Sequence, residues 1–124
     1  MILYLPEPPS LNKMLDFAGG GWQVYHGKQE SYQKKVRLLL PEKPADAPWR
    51  EWRLKRCHFR LWSLRDPLEL HCGAKWAVDV LEQDGWIVND GPKYLTDLCL
   101  ATQEMCRPTW PCHRGLTLEI ERIA

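Results

Sequence analysis

The chain has 124 residues, 44% apolar residues and a formal net charge of +1. That length suits one compact domain with its own core, and residues 1–124 are read as a single domain. The near-zero charge excludes nucleic-acid binding driven by net charge alone, so any such function must rest on where the charges sit. The five cysteines (Cys57, Cys72, Cys99, Cys106, Cys112) are odd in number and lack the spacing of a small secreted scaffold. No signal peptide is read at the start, and no segment nears the roughly 20 apolar residues that span a bilayer. These features predict a cytoplasmic protein with reduced thiols and no membrane partner. The seven tryptophans are costly to expose and are expected mainly as core or interface anchors.

Residues 1–5 read as a short strand. Pro6, Pro8 and Pro9 stiffen its exit. Gly19-Gly20-Gly21 predicts a permissive loop. Tyr32, Val36 and Leu39 or Leu40 fall at helical spacing and predict a helix over 28–40, with Ser31 or the polar residues before it as its cap. A proline-broken linker follows over 41–48. Residues 52–64 form the main predicted strand, in which Cys57, Phe59 and Leu61 alternate with Arg56, His58 and Arg60. Leu70, Ala74, Ala77, Val78 and Leu81 predict a helix over 69–84, with Gly85 as its C-terminal glycine. Asn89-Asp90-Gly91-Pro92 is a turn. One strand is expected over 94–102, a loop over 106–115, and a last strand from the alternation of Leu116, Leu118 and Ile120 with Thr117, Glu119 and Glu121. The fold class is therefore α+β: a two-layer sandwich of a small mixed or antiparallel sheet with helices on one face, and mainly antiparallel pairing towards the C-terminus.

Residues 50–93 carry the chemistry. Arg50, Arg53, Lys55, Arg56, Arg60 and Arg65 form a basic stretch broken only by Glu51. Such a strip neutralises phosphates and releases counterions, or it is simply a solvated strand face. Asp66, Glu69, Asp79, Glu82, Asp84 and Asp90 follow, with Lys75 among them. Asp66 and Asp90 converge if the chain doubles back through the helix between them. Converging carboxylates hold Mg²⁺, which activates water and offsets phosphate charge, while Lys75 would offset charge near the scissile phosphate. Spacing alone leaves these acids equally well explained as caps and helix surface.

Four motifs occur in an order that resembles RusA-type Holliday-junction resolvases. Pro-Glu-Pro-Pro-Ser-Leu-Asn12 resembles the family's Pro-Pro-Ser-x-Asn entry. Arg65-Asp-Pro-Leu-Glu-Leu70 resembles Arg-Asp-x-Asp-Asn-Leu. Lys75-Trp-Ala-Val-Asp79 resembles Lys-x-x-x-Asp, and Gly85-Trp-Ile-Val-Asn89-Asp90 resembles Gly-x-x-x-Asp-Asp. The resemblance covers most of the chain and is weakest over 13–50 and 99–115. It implies a homodimeric, Mg²⁺- or Mn²⁺-dependent endonuclease that cuts four-way DNA junctions in recombination and repair. Carried over by position, Asp66 is the first acidic ligand, Asp90 the last, Lys75 the assisting lysine, and Asp79 a supporting residue. Asn12, Arg53, Arg56, Arg60 and Arg65 are the expected DNA contacts.

The departures are specific. The family's second aspartate falls on Leu68, which binds no metal, and Asn89 stands first in the closing pair as a supporting, neutral ligand at best. About three extra residues, roughly one helical turn, lie between Asp66 and Lys75. That insertion would let Glu69 turn inward, giving the expected metal set Asp66, Glu69 and Asp90. Two other readings compete. One is a catalytically degenerate protein that binds branched DNA through arginine and exposed tryptophan. The other is a small zinc-stabilised domain using Cys57-His58, His71-Cys72 and Cys112-His113 with Cys106. Against the second, no Cys-x-x-Cys occurs, and strand neighbours such as Cys57 and His58 point to opposite faces. The same geometry discounts a Cys57–His58 nucleophile pair.

Overall fold

In strand β1 (Ile2–Leu5) burial alternates, with Leu3 and Leu5 inward and Ile2 and Tyr4 outward, as a strand covered on one face requires. The computed structural model describes residues 1–106 and 113–124. After the prolines, Ser10 caps helix α1 (Leu11–Gly19), its Oγ accepting from the Lys13 N–H at 3.2 Å. The glycine run that predicted a loop is instead a sharp break between two helices. Gly21, at φ 103°, is the N-cap of α2 (Trp22–Leu39), a backbone state that favours glycine. The second helix therefore starts well before residue 28, and Ser31 lies inside it rather than capping it. Its buried residues are Tyr32, Gln33 and Val36. The Gln33 amide donates to the Trp76 carbonyl at 3.1 Å in the interior and so ties α2 to the next helix.

Strand β2 (Trp52–Leu61) buries Trp52, Leu54, Cys57, Phe59 and Leu61. The inward residues jump from 54 to 57 because the pairing with β5 shifts register between Leu54 and Arg56, a bulge that inserts one residue. Beyond it the predicted alternation of 57–61 holds. The predicted helix over 69–84 divides into a 3-10 helix (Leu70–Ala74) and helix α3 (Lys75–Gln83). Gly85, at φ 78°, ends it as expected.

The single strand expected over 94–102 is two short ones, β3 (Leu95–Leu98) and β4 (Thr102–Met105). Both run parallel to β2, against the antiparallel expectation. Helix α3 carries the chain back towards the start of β2, and a crossover of this kind delivers a parallel strand. Strand β5 (Gly115–Arg122) lies between β1 and β2, antiparallel to both, in the order β1-β5-β2-β3 with β4 also on β2. The result is a five-stranded mixed sheet with three α-helices packed against it, an α+β two-layer sandwich. The core joins Leu3, Val36, Trp52, Phe59, Leu81 and Leu118 among others. Trp49, Trp52, Trp76 and Trp86 are buried, while Trp22 and Trp62 are exposed. No helix among the described residues is long and apolar enough to cross a membrane. Cys57, Cys72 and Cys99 are free thiols, whereas Cys106 is disulfide-bonded, which departs from the expectation of reduced thiols throughout.

Gly115 opens β5 hard against the end of β1. A Cβ there would lie 2.6 Å from the Leu5 carbonyl oxygen. Backbone cannot yield as a flexible side chain can, so Gly115→Ala is expected to cost about 1–3 kcal/mol, read as a lower urea midpoint.

Candidate metal centre

Helix α3 presents Lys75, Asp79 and Glu82 at i, i+4 and i+7, along one side of the helix. The turn after α3 brings Asp90 to them. Carboxylate oxygens of Asp79, Glu82 and Asp90 lie within 4.8 Å of one another, and all three residues are half-buried. The Lys75 ammonium donates to Asp79 Oδ1 at 2.8 Å and also pairs with Asp90 Oδ2. Partial burial pulls the Lys75 pKa down, but hydrogen bonds and charge attraction from Asp79 and Asp90 outweigh this and push it up to about 12. The stability contributed by that raised pKa is intact below about 10.5, the ordinary lysine value, and is lost as pH rises through about 12.

The turn holding Asp90 is fastened on several sides. Asn89 Oδ1 accepts from the Gly91 N–H at 2.6 Å, and the Gly91 carbonyl accepts from Tyr94 and Leu95. The Trp52 indole donates to the Asn89 carbonyl at 2.9 Å. The Asn89 amide donates to Glu82 Oε1 at 3.4 Å. The Trp49 and Val88 backbones join across the same seam.

Three carboxylates are hard oxygen donors, the set preferred by Mg²⁺, Mn²⁺ or Ca²⁺ over zinc. The Lys75 ammonium already places a positive charge between two of them. The residues thus fit a divalent cation by donor chemistry. Among the described residues this is the one group of three or more Cys, His, Asp or Glu side chains arranged to hold a metal. The zinc pairings do not form such a group there. Cys57 is buried, and burial, with Cys99 nearby, pushes its thiol up to about 12. His58 faces Thr102 and Glu104, and His71 Nε2 accepts from the Ala101 N–H. Cys112 lies outside the described residues.

Asp66 and Glu69 are placed differently from the expectation. Asp66 caps a turn, with its Oδ1 accepting from the Leu68 N–H at 2.9 Å and its carbonyl from the Glu69 N–H at 3.0 Å. Both acids line a separate groove of about 720 Å³. The set gathered around Asp90 is Asp79 and Glu82, not Asp66 and Glu69. The 3-10 helix (Leu70–Ala74) lies between Glu69 and α3 and leaves Asp66 and Glu69 ahead of it in the chain. Glu82 was not singled out from sequence, although its i, i+3 spacing from Asp79 was the available signal. Leu68 is 93% exposed.

The expected DNA contacts also divide. Arg53 pairs with Glu121, and Arg60 donates to the His113 carbonyl and to Thr117 Oγ1. Arg65 is largely buried, bonded to the Pro8 carbonyl, 3.5 Å from Glu7, and stacked 5.6 Å from the Phe59 ring centroid. Arg56 is exposed. Asn12, in the first turn of α1, lines the 720 Å³ groove with Lys13, Lys28, Lys35, Arg114 and Trp62, cations from distant parts of the chain that no local motif signalled. Arg65→Ala should therefore act on stability. It leaves the Pro8 carbonyl and Glu7 short of a partner at a cost of about 1–3 kcal/mol, whereas Arg56→Ala should stay within about 0.5 kcal/mol of the parent. Urea unfolding of both variants checks this.

In comparisons with family models, curated proteins and solved structures, nothing matches the chain.

Proposed function

We propose that the chain is a Mg²⁺- or Mn²⁺-dependent endonuclease that hydrolyses phosphodiester bonds in branched DNA, four-way junctions above all. The observation that carries this reading is the clustering of the Asp79, Glu82 and Asp90 carboxylates, two of which, Asp79 and Asp90, also hold Lys75. The ordered resemblance to RusA-type resolvases supports the choice of substrate. A divalent cation held by the three carboxylates would supply an activated water and Lewis-acid stabilisation of the phosphate. Asp90 and Asp79 orient Lys75, whose charge would oppose the negative charge building on the phosphate oxygens. The groove with Lys13, Lys28, Lys35 and Trp62 offers cations for the backbone and a ring for stacking. A homodimer would set two such centres against two symmetric strands of a junction.

The test is cleavage of a synthetic four-way junction and a matched linear duplex with Mg²⁺, with Mn²⁺ and with EDTA. Metal-dependent cutting that prefers the junction is expected. A second reading, a degenerate junction-binding protein, is favoured by Leu68 at the family's aspartate position and by the separation of Asp66 from the acidic centre. It predicts binding that survives EDTA and no cutting with either metal.

A further inference from the structure

Beside the acidic centre a cleft of about 450 Å³ opens between the helical layer and β3 at the sheet edge. Its floor is Trp52, Leu54 and Trp76, all buried, and Leu98 and Cys72 stand exposed at its mouth. Such a volume, with an apolar and aromatic lining and few polar groups, suits a small ligand. His71, Lys75 and Asp90 supply the polar groups. Lys75 is held at the acidic centre by Asp79 and Asp90, and among the described residues no other lysine or arginine lines the cleft, so the cleft itself has little to offer a phosphate. His71 accepts the Ala101 N–H on Nε2 at 2.7 Å, which leaves its proton on Nδ1 as a donor. Asp90 belongs both to this cleft and to the acidic centre. A ligand seated here is therefore flat, uncharged and apolar, with a hydrogen-bonding edge, and it adjoins the place where a phosphate would be attacked.

We propose that the cleft receives one unpaired nucleobase of the DNA strand whose phosphate lies at the acidic centre. This deepens the endonuclease reading and rests on it for the identity of the ligand. A branch point supplies bases freed from pairing, and seating one against apolar and aromatic side chains recovers stacking lost on leaving the helix. Selection of branched over linear DNA then arises in part from this cleft, since an intact duplex holds its bases back.

Cys72 provides a readout that does not depend on cutting. In EDTA, its rate of alkylation by iodoacetamide is followed by peptide mass spectrometry for the protein alone, with a single-stranded oligothymidylate, and with an abasic strand of equal length. The two strands carry the same phosphates and differ in their bases. The expected result is slowing of at least about fivefold by oligothymidylate, in keeping with one stacked base, and little slowing by the abasic strand. Leu98→Trp, at an exposed mouth position, should keep the fold by circular dichroism and erase the difference between the strands. Equal protection by both strands overturns the proposal, as does protection that rises with protein concentration alone, which would mean that a second copy covers the cleft. Metal-dependent junction cutting without base-dependent protection removes the cleft proposal and leaves the endonuclease reading standing. Base-dependent protection without cutting does the reverse.

Discussion

Asp90→Asn is expected to lower metal-dependent junction cleavage by at least about 100-fold, the scale of losing one pre-organised electrostatic contact, while junction affinity in EDTA stays near that of the parent. The substitution preserves shape and leaves the Asn89–Gly91 turn, the Trp52 contact and the α3 packing intact. What it removes is one of three clustered carboxylates and one of two partners of Lys75. Metal affinity should fall because hard cations depend on charged oxygen ligands. The comparison that gives the result meaning is Asp66→Asn. Asp66 caps its own turn and lines a different groove, so its loss should cost far less than that of Asp90. Glu82→Gln should resemble Asp90→Asn, and Glu69→Gln should resemble Asp66→Asn. Cleavage time courses at saturating Mg²⁺, beside anisotropy titrations of labelled junction, measure both quantities. If Asp66→Asn abolishes cutting and Asp90→Asn does not, the centre assigned around Lys75 is the wrong one.

Elements with one buried face were largely readable from sequence, the four-residue β1 included, whereas mostly exposed or tightly turned ones were not. β2, α3 and β5 announced themselves because burial on one side imposes period two or period 3.6 on Cys57–Phe59–Leu61, Ala77–Leu81 and Leu116–Leu118–Ile120. α1 has one buried residue, Met14, too few to set a period, and so was not expected from the sequence. Gly19-Gly20-Gly21 suggested a loop because three glycines permit many conformations, and only the packing of both flanking helices selects the tight one. β3 and β4 are exposed along most of their length, so no alternation marked them. The candidate site shows the same division. Lys75, Asp79 and Asp90 were legible because a helix and a following turn fix their relation locally. Which further acids join them depends on how the 3-10 helix is placed, and that is decided by packing. The arginines of β2 looked available because their partners, Glu121 and Thr117, face them only once the β2–β5 register exists.

Trp52 connects fold and site, and two substitutions there separate the two contributions. Its side chain is fully buried, and its indole N–H holds the Asn89 carbonyl at 2.9 Å, one residue before Asp90. Trp52→Ala empties a central position of the core and is expected to cost about 3–5 kcal/mol, a large share of the stability of a domain this size. Urea unfolding followed by far-UV circular dichroism would show the shift. Trp52→Phe keeps most of the apolar volume and deletes the donor. The Asn89 carbonyl then lacks its partner at a cost of about 1–3 kcal/mol, and the turn that presents Asp90 loses its anchor on the sheet. If the indole serves packing alone, Trp52→Phe should cut junctions at the parental rate whenever it is folded. If it also positions Asp90, the folded variant should lose activity and require more Mg²⁺ for half-maximal rate, because a displaced carboxylate weakens a centre whose ligands come from two separate segments. The second outcome is expected, since among the described hydrogen bonds of the Asn89–Asp90 pair the indole supplies the one that runs from a side chain of the sheet to that turn.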